Sequence, residues 1–507
     1  MTQTMPRTVR LHPDDNILVC VDKLAAGGQA DGVSAIGVIP RGHKMALETI
    51  TAGNAIRKFG QIIGFASETI EPGAHVHEHN CSMGDFERDY AFAEENSWSP
   101  PSIEGLPKTF QGFRRKNGKC GTRNYIGILT SVNCSASVAR FTAKAINESG
   151  LLDDYENVDG VVPFVHGTGC GMAGDGEGFD LLTRTLWGHA AHPNMGGVLF
   201  IGLGCEVFQI PAMMKSYDLE YSDTFQYMTI QGTGGTRKTV EKAMDAIRNM
   251  LPIVNATKRE EVSVSELSLA LQCGGSDGYS GITANPALGY AADLLVEAGG
   301  TAILSETPEI YGAEHLLTRR AVDREQGERL VDLIHWWERY AEREGGNMNN
   351  NPSPGNKAGG LTTILEKSLG AAAKGGTSPL SGVYKYAEPV TRKGFVFVDS
   401  PGYDPAAVTG QVASGANMIA FTTGRGSAFG YKPVPSLKLA TNSVLYANME
   451  EDMDINCGDI LDGVSVEEKG REIFCHVVDV ASGKHSKSEE LGYGDNEFVP
   501  WHIGAVM

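Results

Sequence analysis

Three imidazoles alternate along Ala74-His75-Val76-His77-Glu78-His79-Asn80. In an extended strand the side-chain period is two, so His75, His77 and His79 point to one face. There they can ligate a divalent metal or contact an anion, with His43 of Arg41-Gly42-His43-Lys44 as a fourth member. The same spacing also fits a solvated polar edge strand that resists aggregation.

Three other stretches share one plan, an apolar run that opens into a glycine-rich polar loop. The run at Leu267-Ser268-Leu269-Ala270-Leu271 leads into Gln272-Cys273-Gly274-Gly275-Ser276-Asp277-Gly278, with Pro286 starting a helical pattern. Val161-Val162-Pro163-Phe164-Val165 leads into His166-Gly167-Thr168-Gly169-Cys170-Gly171, and Val198-Leu199-Phe200-Ile201 into Gly202-Leu203-Gly204-Cys205-Glu206. His166 offers a base for an α-proton, while Glu206 and Asp277 can act as acid, base or metal ligand, or simply cap their loops. Cys134, Cys170, Cys205 and Cys273 lie near strand ends, where thiols can hold iron or an iron–sulfur cluster or can pack as small buried groups. Thr422-Thr423-Gly424-Arg425-Gly426-Ser427 presents a guanidinium among small residues, which suits bidentate capture of a carboxylate. Gln231-Gly232-Thr233-Gly234-Gly235-Thr236 lacks the full dinucleotide fingerprint and reads as a tight turn.

Positioning these groups is the work of several domains, since 507 residues exceed what one hydrophobic core serves. Short β-type runs to about residue 84 predict a small β-rich domain, and the Pro, Ser and acidic residues of 85–108 a linker. Alternating strand and helix patterns then predict two α/β units with mainly parallel sheets, at 109–260 and 261–507. In such sheets the loops at the carboxyl ends of strands meet on one edge, so the polar loops are expected to converge. A net charge of −19 disfavours a nucleic-acid partner, and no apolar run reaches the roughly 20 residues of a membrane span. Nine scattered cysteines without a C-x-x-C pair, and a start without an apolar signal core, fit reduced thiols in the cytoplasm.

Taken together, Gly42-His43-Lys44, His75 to Asn80, Gly112-Phe113-Arg114-Arg115, Gly121-Thr122-Arg123-Asn124-Tyr125, Thr130 to Cys134, His166 to Gly171, Gly202 to Glu206, Gln272 to Pro286, Asn351 to Gly360, Thr422 to Gly426 and Met453 to Asn456 resemble the altronate and galactarate dehydratases, a family of sugar-acid dehydratases. The histidine cluster and the His166 loop look like the altronate branch, and sulfolactate sulfo-lyases are similar in two split subunits. The resemblance implies an N-terminal SAF, or β-clip, domain and two Rossmann-like units. It also implies ferrous iron or manganese as cofactor, and conversion of an aldonate such as D-altronate to 2-dehydro-3-deoxy-D-gluconate. On that footing His43, His75, His77, His79 and the four thiols are expected metal ligands. His166 is the expected base, Glu206 or Asp277 the acid, and Arg123 or Arg425 the carboxylate anchor. The expected partner is the small sugar acid alone, with the chain assembled as a homo-oligomer, a dimer, and with neither nucleic acid nor membrane.

Overall fold

A computed structural model describes residues 6–84, 88–95, 97–217, 219–504 and 506. The first of these segments is β-rich. Thr8–Val9, Ile17–Cys20, Lys44–Ala46 and His75–Val76 form a four-stranded antiparallel sheet, and Ala55–Lys58, Gln61–Ala66 and Cys81–Ser82 a three-stranded one. Ile17, Val19, Ile56, Ile63 and Val76 fill the space between them.

The second unit holds a parallel sheet in the order Gly160–Phe164, Tyr125–Thr130, Met195–Gly202, Phe225–Thr229. Its first three strands are largely apolar and buried because helices cover both faces, whereas the edge strand Phe225–Thr229 is only partly buried. One cover is Thr236–Asn255, whose Ala243, Ala246, Ile247, Met250 and Val254 recur at helical spacing and are all buried. The third unit is a seven-stranded parallel sheet in the order Leu380–Tyr384, Gly394–Val398, Thr301–Leu304, Ser268–Cys273, Met418–Thr423, Ser436–Ala440, Ile455–Asn456. The chain winds outward in opposite directions from the central pair, so the topological switch lies between Ser268–Cys273 and Met418–Thr423. The first sheet has its switch between Tyr125–Thr130 and Met195–Gly202.

Contacts cross two of the expected boundaries. Residues 85–87 and 96 of the expected linker lie outside the described residues, and the rest of 85–108 is a strap tied to the last unit. Ala93 and Glu95 donate to the Thr318 and Arg319 carbonyls, Arg88 pairs with Glu314 at 3.0 Å, and Ile103 and Leu106 pack on the large core. Nor is 260/261 a clean border, because Thr109–Arg114 pairs antiparallel with Arg259–Ser263. Among the described residues no helix is long and apolar enough to cross a membrane.

A buried ion cluster joins the β-rich unit to the last one. Lys44 Nζ donates to both Glu366 oxygens at 3.0 and 2.8 Å and to the Gly360 carbonyl at 2.6 Å, and Lys58 Nζ reaches Glu366 at 2.9 Å. Burial alone would raise the Glu366 carboxyl, but the two ammoniums hold it well below the usual range. The two sheet units meet through buried histidines: His189 Nε2 lies 2.7 Å from Tyr431 Oη, and His192 Nε2 2.8 Å from the Ala416 carbonyl. Burial pushes these imidazoles down to about 4 and about 3.

Two outcomes follow. Glu366→Gln, which strands two buried ammoniums, should cost about 3–5 kcal/mol in urea unfolding and expose the 6–84 region to limited proteolysis; an unchanged midpoint would refute the anchoring role. His189 and His192 stay neutral in the fold while the unfolded chain takes up protons below about pH 6.5. Stability should therefore fall as pH drops from about 6.5 towards 4, by up to ~1.4 kcal/mol per pH unit for each imidazole. A His189→Gln, His192→Gln protein with an equally steep profile would count against this source.

Candidate functional site

Of the residues expected to hold a metal, His43, His75 and His77 come together, while His79 and the four thiols do not join them. Only His75–Val76 is extended; the chain then turns because Asn80 Oδ1 accepts from the His77 N–H at 2.9 Å while Asn80 Nδ2 donates to the His75 carbonyl at 3.0 Å. His43 Nδ1 and His75 Nε2 stand 3.0 Å apart, and the His75 and His77 rings stack at 5.4 Å. His43, His75 and His77 each offer a ring nitrogen within 4.8 Å of the others. His79 falls outside this triad: the turn leaves it exposed, with its ring 5.5 Å from that of His75.

The triad suits a divalent metal. Among the described residues His77 Nδ1 is buried without a hydrogen-bond partner, an orphan that a ligated cation would satisfy. His43 Nε2 approaches the Ala358 carbonyl at 3.4 Å, which turns Nδ1 inward as a lone pair. Burial, then neighbouring histidines, pushes His75 down to about 3, and burial pushes His77 down to about 4, so both are neutral imidazoles at physiological pH, the form that ligation requires.

Backbone packing seats the triad over the switch point of the seven-stranded sheet. An added Cβ on Gly278 would lie 2.0 Å from the Gly42 carbonyl, and one on Gly360 2.3 Å from it, so neither position admits a side chain beside the His43 loop. Across the switch, the N–H groups of Gly424 and Arg425 donate to the Gly275 carbonyl at 3.0 and 2.8 Å. Arg425 is exposed, forms no ion pair among the described residues, and packs against Gly359 next to the Ala358 contact of His43. Lys357, by contrast, is paired with Glu78 at 3.2 Å.

Several chemically suggestive residues are spent on structure. Asp277 accepts from the Tyr279 and Ser280 N–H groups at 3.1 and 3.0 Å and from Thr441 and Asn442 side chains, so it fastens the Gly275 loop to its neighbour. Glu206 accepts from Ser131 Oγ and the Gly204 N–H, each at 2.6 Å, and braces the switch of the first sheet. His166 borders a cavity of about 550 Å³ with Asn133, Arg140 and His502. Both its ring nitrogens are engaged, however, Nε2 with the Thr130 carbonyl at 2.8 Å and Nδ1 with the Thr168 N–H at 3.3 Å, which leaves no lone pair for a substrate proton. Arg123 is buried with Nε and Nη2 on the Glu489 carboxylate at 2.7 and 2.9 Å and its remaining hydrogens on the Thr122, Val480 and Lys484 carbonyls. It clamps chain segments and has no donor left for a carboxylate ligand. Cys134, Cys170 and Cys205 are exposed free thiols on loops of the first sheet, outside any metal-capable group among the described residues. Cys273 belongs to the other sheet and is buried, with Lys374 Nζ 3.0 Å from its sulfur. Glu366, which with Lys44 and the Ala358–Gly360 segment sets the triad in place, stands in none of the motifs read from the sequence.

Comparison with known proteins covers the same three units. Residues 6–84 match the altronate/galactarate dehydratase SAF domain, 112–255 the D-galactarate dehydratase/altronate hydrolase second domain, and 264–506 the D-galactarate/altronate dehydratase C-terminal domain. The altronate dehydratase of Bacillus subtilis is 37% identical, over 96% of this chain and 97% of its own. The galactarate dehydratase (L-threo-forming) of Escherichia coli is 38% identical, over 94% of this chain and 93% of its own. The altronate dehydratase of Escherichia coli is 35% identical, over 95% of this chain and 96% of its own.

The turn at Asn80 separates two kinds of histidine. His43→Ala and His77→Ala should each weaken Mn²⁺ binding by at least about tenfold in a competition titration against a chelating dye, whereas His79→Ala should change it less than about threefold. Equal losses in all three would restore a ligand role for His79.

Proposed function

This chain belongs to the galactarate and altronate dehydratase family, and from that premise we propose that it dehydrates D-altronate to 2-dehydro-3-deoxy-D-gluconate, with a divalent metal, ferrous iron or manganese, held by His43, His75 and His77. The observation that carries the reading is the neutral triad, with an orphaned His77 nitrogen, seated over the switch point beside the unpaired Arg425. A proton next to a carboxylate is very weakly acidic, and its removal requires stabilisation of the charge that develops on the carboxylate oxygens. A metal bound at the triad supplies Lewis-acid neutralisation of that charge.

The chain's own residues do the rest. Arg425 presents a planar fork to the substrate carboxylate, and its glycine neighbours leave room for close approach. His79, exposed beside the triad and outside it, is the imidazole that takes the C2 proton, in place of the fully engaged His166. As imidazolium it returns that proton to the departing C3 hydroxyl, which leaves as water, and the enol tautomerises to the 2-keto acid. Asp277 holds the Gly275 loop in shape without reacting. Two features favour an aldonate over an aldarate: Lys357 is already paired with Glu78, so a second substrate carboxylate lacks that counter-charge, and two of the three relatives above are altronate dehydratases. Galactarate is the second reading, favoured by the Escherichia coli galactarate dehydratase at comparable identity.

The test is an anaerobic assay of iron- or manganese-loaded protein against aldonates and aldarates, scored for 2-keto-3-deoxy acids. Altronate should give product that chelation abolishes and metal restores; product from galactarate alone would transfer the assignment, and silence across the panel would end it. In the active enzyme Arg425→Lys should lower kcat/KM by about 10-fold or more, as a fork becomes a point charge. His79→Ala should lose kcat while keeping its metal, and an unchanged kcat would remove the proton-transfer role.

A further inference from the structure

A second group of ionisable side chains, separate from the histidine triad, is buried at the carboxyl edge of the seven-stranded sheet. Cys273 ends the strand Ser268–Cys273, Glu306 follows Thr301–Leu304, Glu309 lies in the turn Thr307–Ile310, and Asp404 opens the helix that follows Gly394–Val398. Three loops of one sheet edge thus deliver a thiol and three carboxylates to one place. Lys367 and Lys374 approach from the helical layer: Lys367 Nζ donates to Glu309 Oε1 at 2.7 Å, and Lys374 Nζ lies 3.0 Å from Cys273 Sγ.

We propose that Cys273, Glu306 and Glu309 bind a divalent first-row transition metal, a site distinct from the one formed by His43, His75 and His77. Their ligand atoms lie within 4.8 Å of one another, and Cys273 Sγ is 3.9 Å from Glu309 Oε2. Two ligands on one tetrahedral ion stand roughly 3.6 Å apart, so little contraction is needed. Glu306 is the second and independent observation. Its side chain is 0% exposed, yet among the described residues neither carboxylate oxygen has a hydrogen-bond partner, and Lys374 Nζ stands off at 3.8 Å. A buried carboxylate with both oxygens unsatisfied is costly unless a ligand meets them. Its backbone is also held at φ 71°, ψ 67°, a left-handed conformation that a non-glycine residue keeps only when its surroundings impose it.

Glu309 shows the division of labour within the site. Its Oε1 is saturated by Lys367 and by Asn351 Nδ2, both at 2.7 Å, which leaves Oε2 to face the thiol. Asp404 lies against the same loop, since a Cβ on Gly274 would fall 2.3 Å from its Oδ2. When ionised, the thiol and the three carboxylates face only two ammoniums, and a divalent cation makes up the difference. A thiolate beside carboxylates selects zinc, ferrous iron or cobalt over magnesium or calcium.

Cobalt distinguishes this site from the triad, because an all-imidazole site has no thiolate-to-metal charge transfer. The full-length protein, stripped of metal and titrated anaerobically with Co²⁺, should develop a near-ultraviolet thiolate band and bind cobalt beyond the equivalent taken up by the triad. The band should vanish in Cys273→Ser and persist in Cys134→Ser, Cys170→Ser and Cys205→Ser. Glu306→Gln should weaken the band-forming equivalent by at least about tenfold. If Cys273→Ser fails to fold by circular dichroism, Glu306→Gln decides the matter alone. Absence of the band in the parent protein, its survival in a folded Cys273→Ser, or an unaltered affinity in Glu306→Gln would overturn the site. None of these readouts depends on altronate turnover.

Discussion

Everything at the candidate site depends on one buried carboxylate. Glu366 accepts from Lys44 and Lys58 of the β-rich unit and from the Thr362 N–H and hydroxyl of its own segment, and all three charged side chains are almost completely buried. Burying three charges carries a large desolvation cost, which only good geometry and full hydrogen bonding offset. The return is positional: Lys44 is the neighbour of His43, and its ammonium also grips the Gly360 carbonyl, so the histidine triad and the loop beneath it are fixed by one set of contacts. Tyr279 adds a second tie, donating to the Val21 carbonyl at 2.7 Å from the loop that Asp277 holds.

That dependence explains what could be read from residue order. Strand-then-loop stretches were legible because a strand covered on both faces is a continuous apolar run, and Val198 to Ile201 and Met418 to Phe421 are such runs. Parallel pairing brings loops together only within a sheet: the His166 and Glu206 loops share the edge of the four-stranded sheet, whereas the Cys273 loop belongs to the seven-stranded one, so the expected convergence splits between two sheets. What residue order concealed was which polar groups have partners. Arg123 and His166 sit in glycine-rich, chemically suggestive company, yet all five Arg123 hydrogens and both His166 nitrogens are taken, several by residues hundreds of positions away. Lys44 stands in the Gly42-His43-Lys44 motif, but its anchoring role was hidden for the same reason, since its partner lies 322 residues on. His79 was misplaced by a local effect: period two places it with His75 and His77 only in a continuous strand, and the Asn80 side chain closes a turn first.

The same accounting separates groups that hold from groups that react. A carboxylate that accepts several hydrogen bonds, as Asp277 does, has its lone pairs committed and defines a shape. Glu306, with none, is available to a ligand. Hydrogen-bond saturation therefore discriminates better here than residue type, because Asp277 and Glu306 are both buried acids at the edge of one sheet.

Glycine completes the argument. Where Gly42, Gly278 and Gly360 meet, backbone touches backbone with no room for a Cβ, and a Cβ on Gly424 would collide with the Asp277 carboxylate at 2.1 Å. Side chains between these loops would adjust by rotamer; main chains in contact cannot. The distance from the His43 loop to the Gly275 and Gly424 loops is thus set by peptide groups, so the triad inherits the rigidity of the parallel sheet although none of its ligands lies on that sheet. A histidine cluster on a separate small domain would ordinarily move with that domain. Close backbone packing, locked by the Glu366 ion cluster, makes the two units a single frame for the crevice.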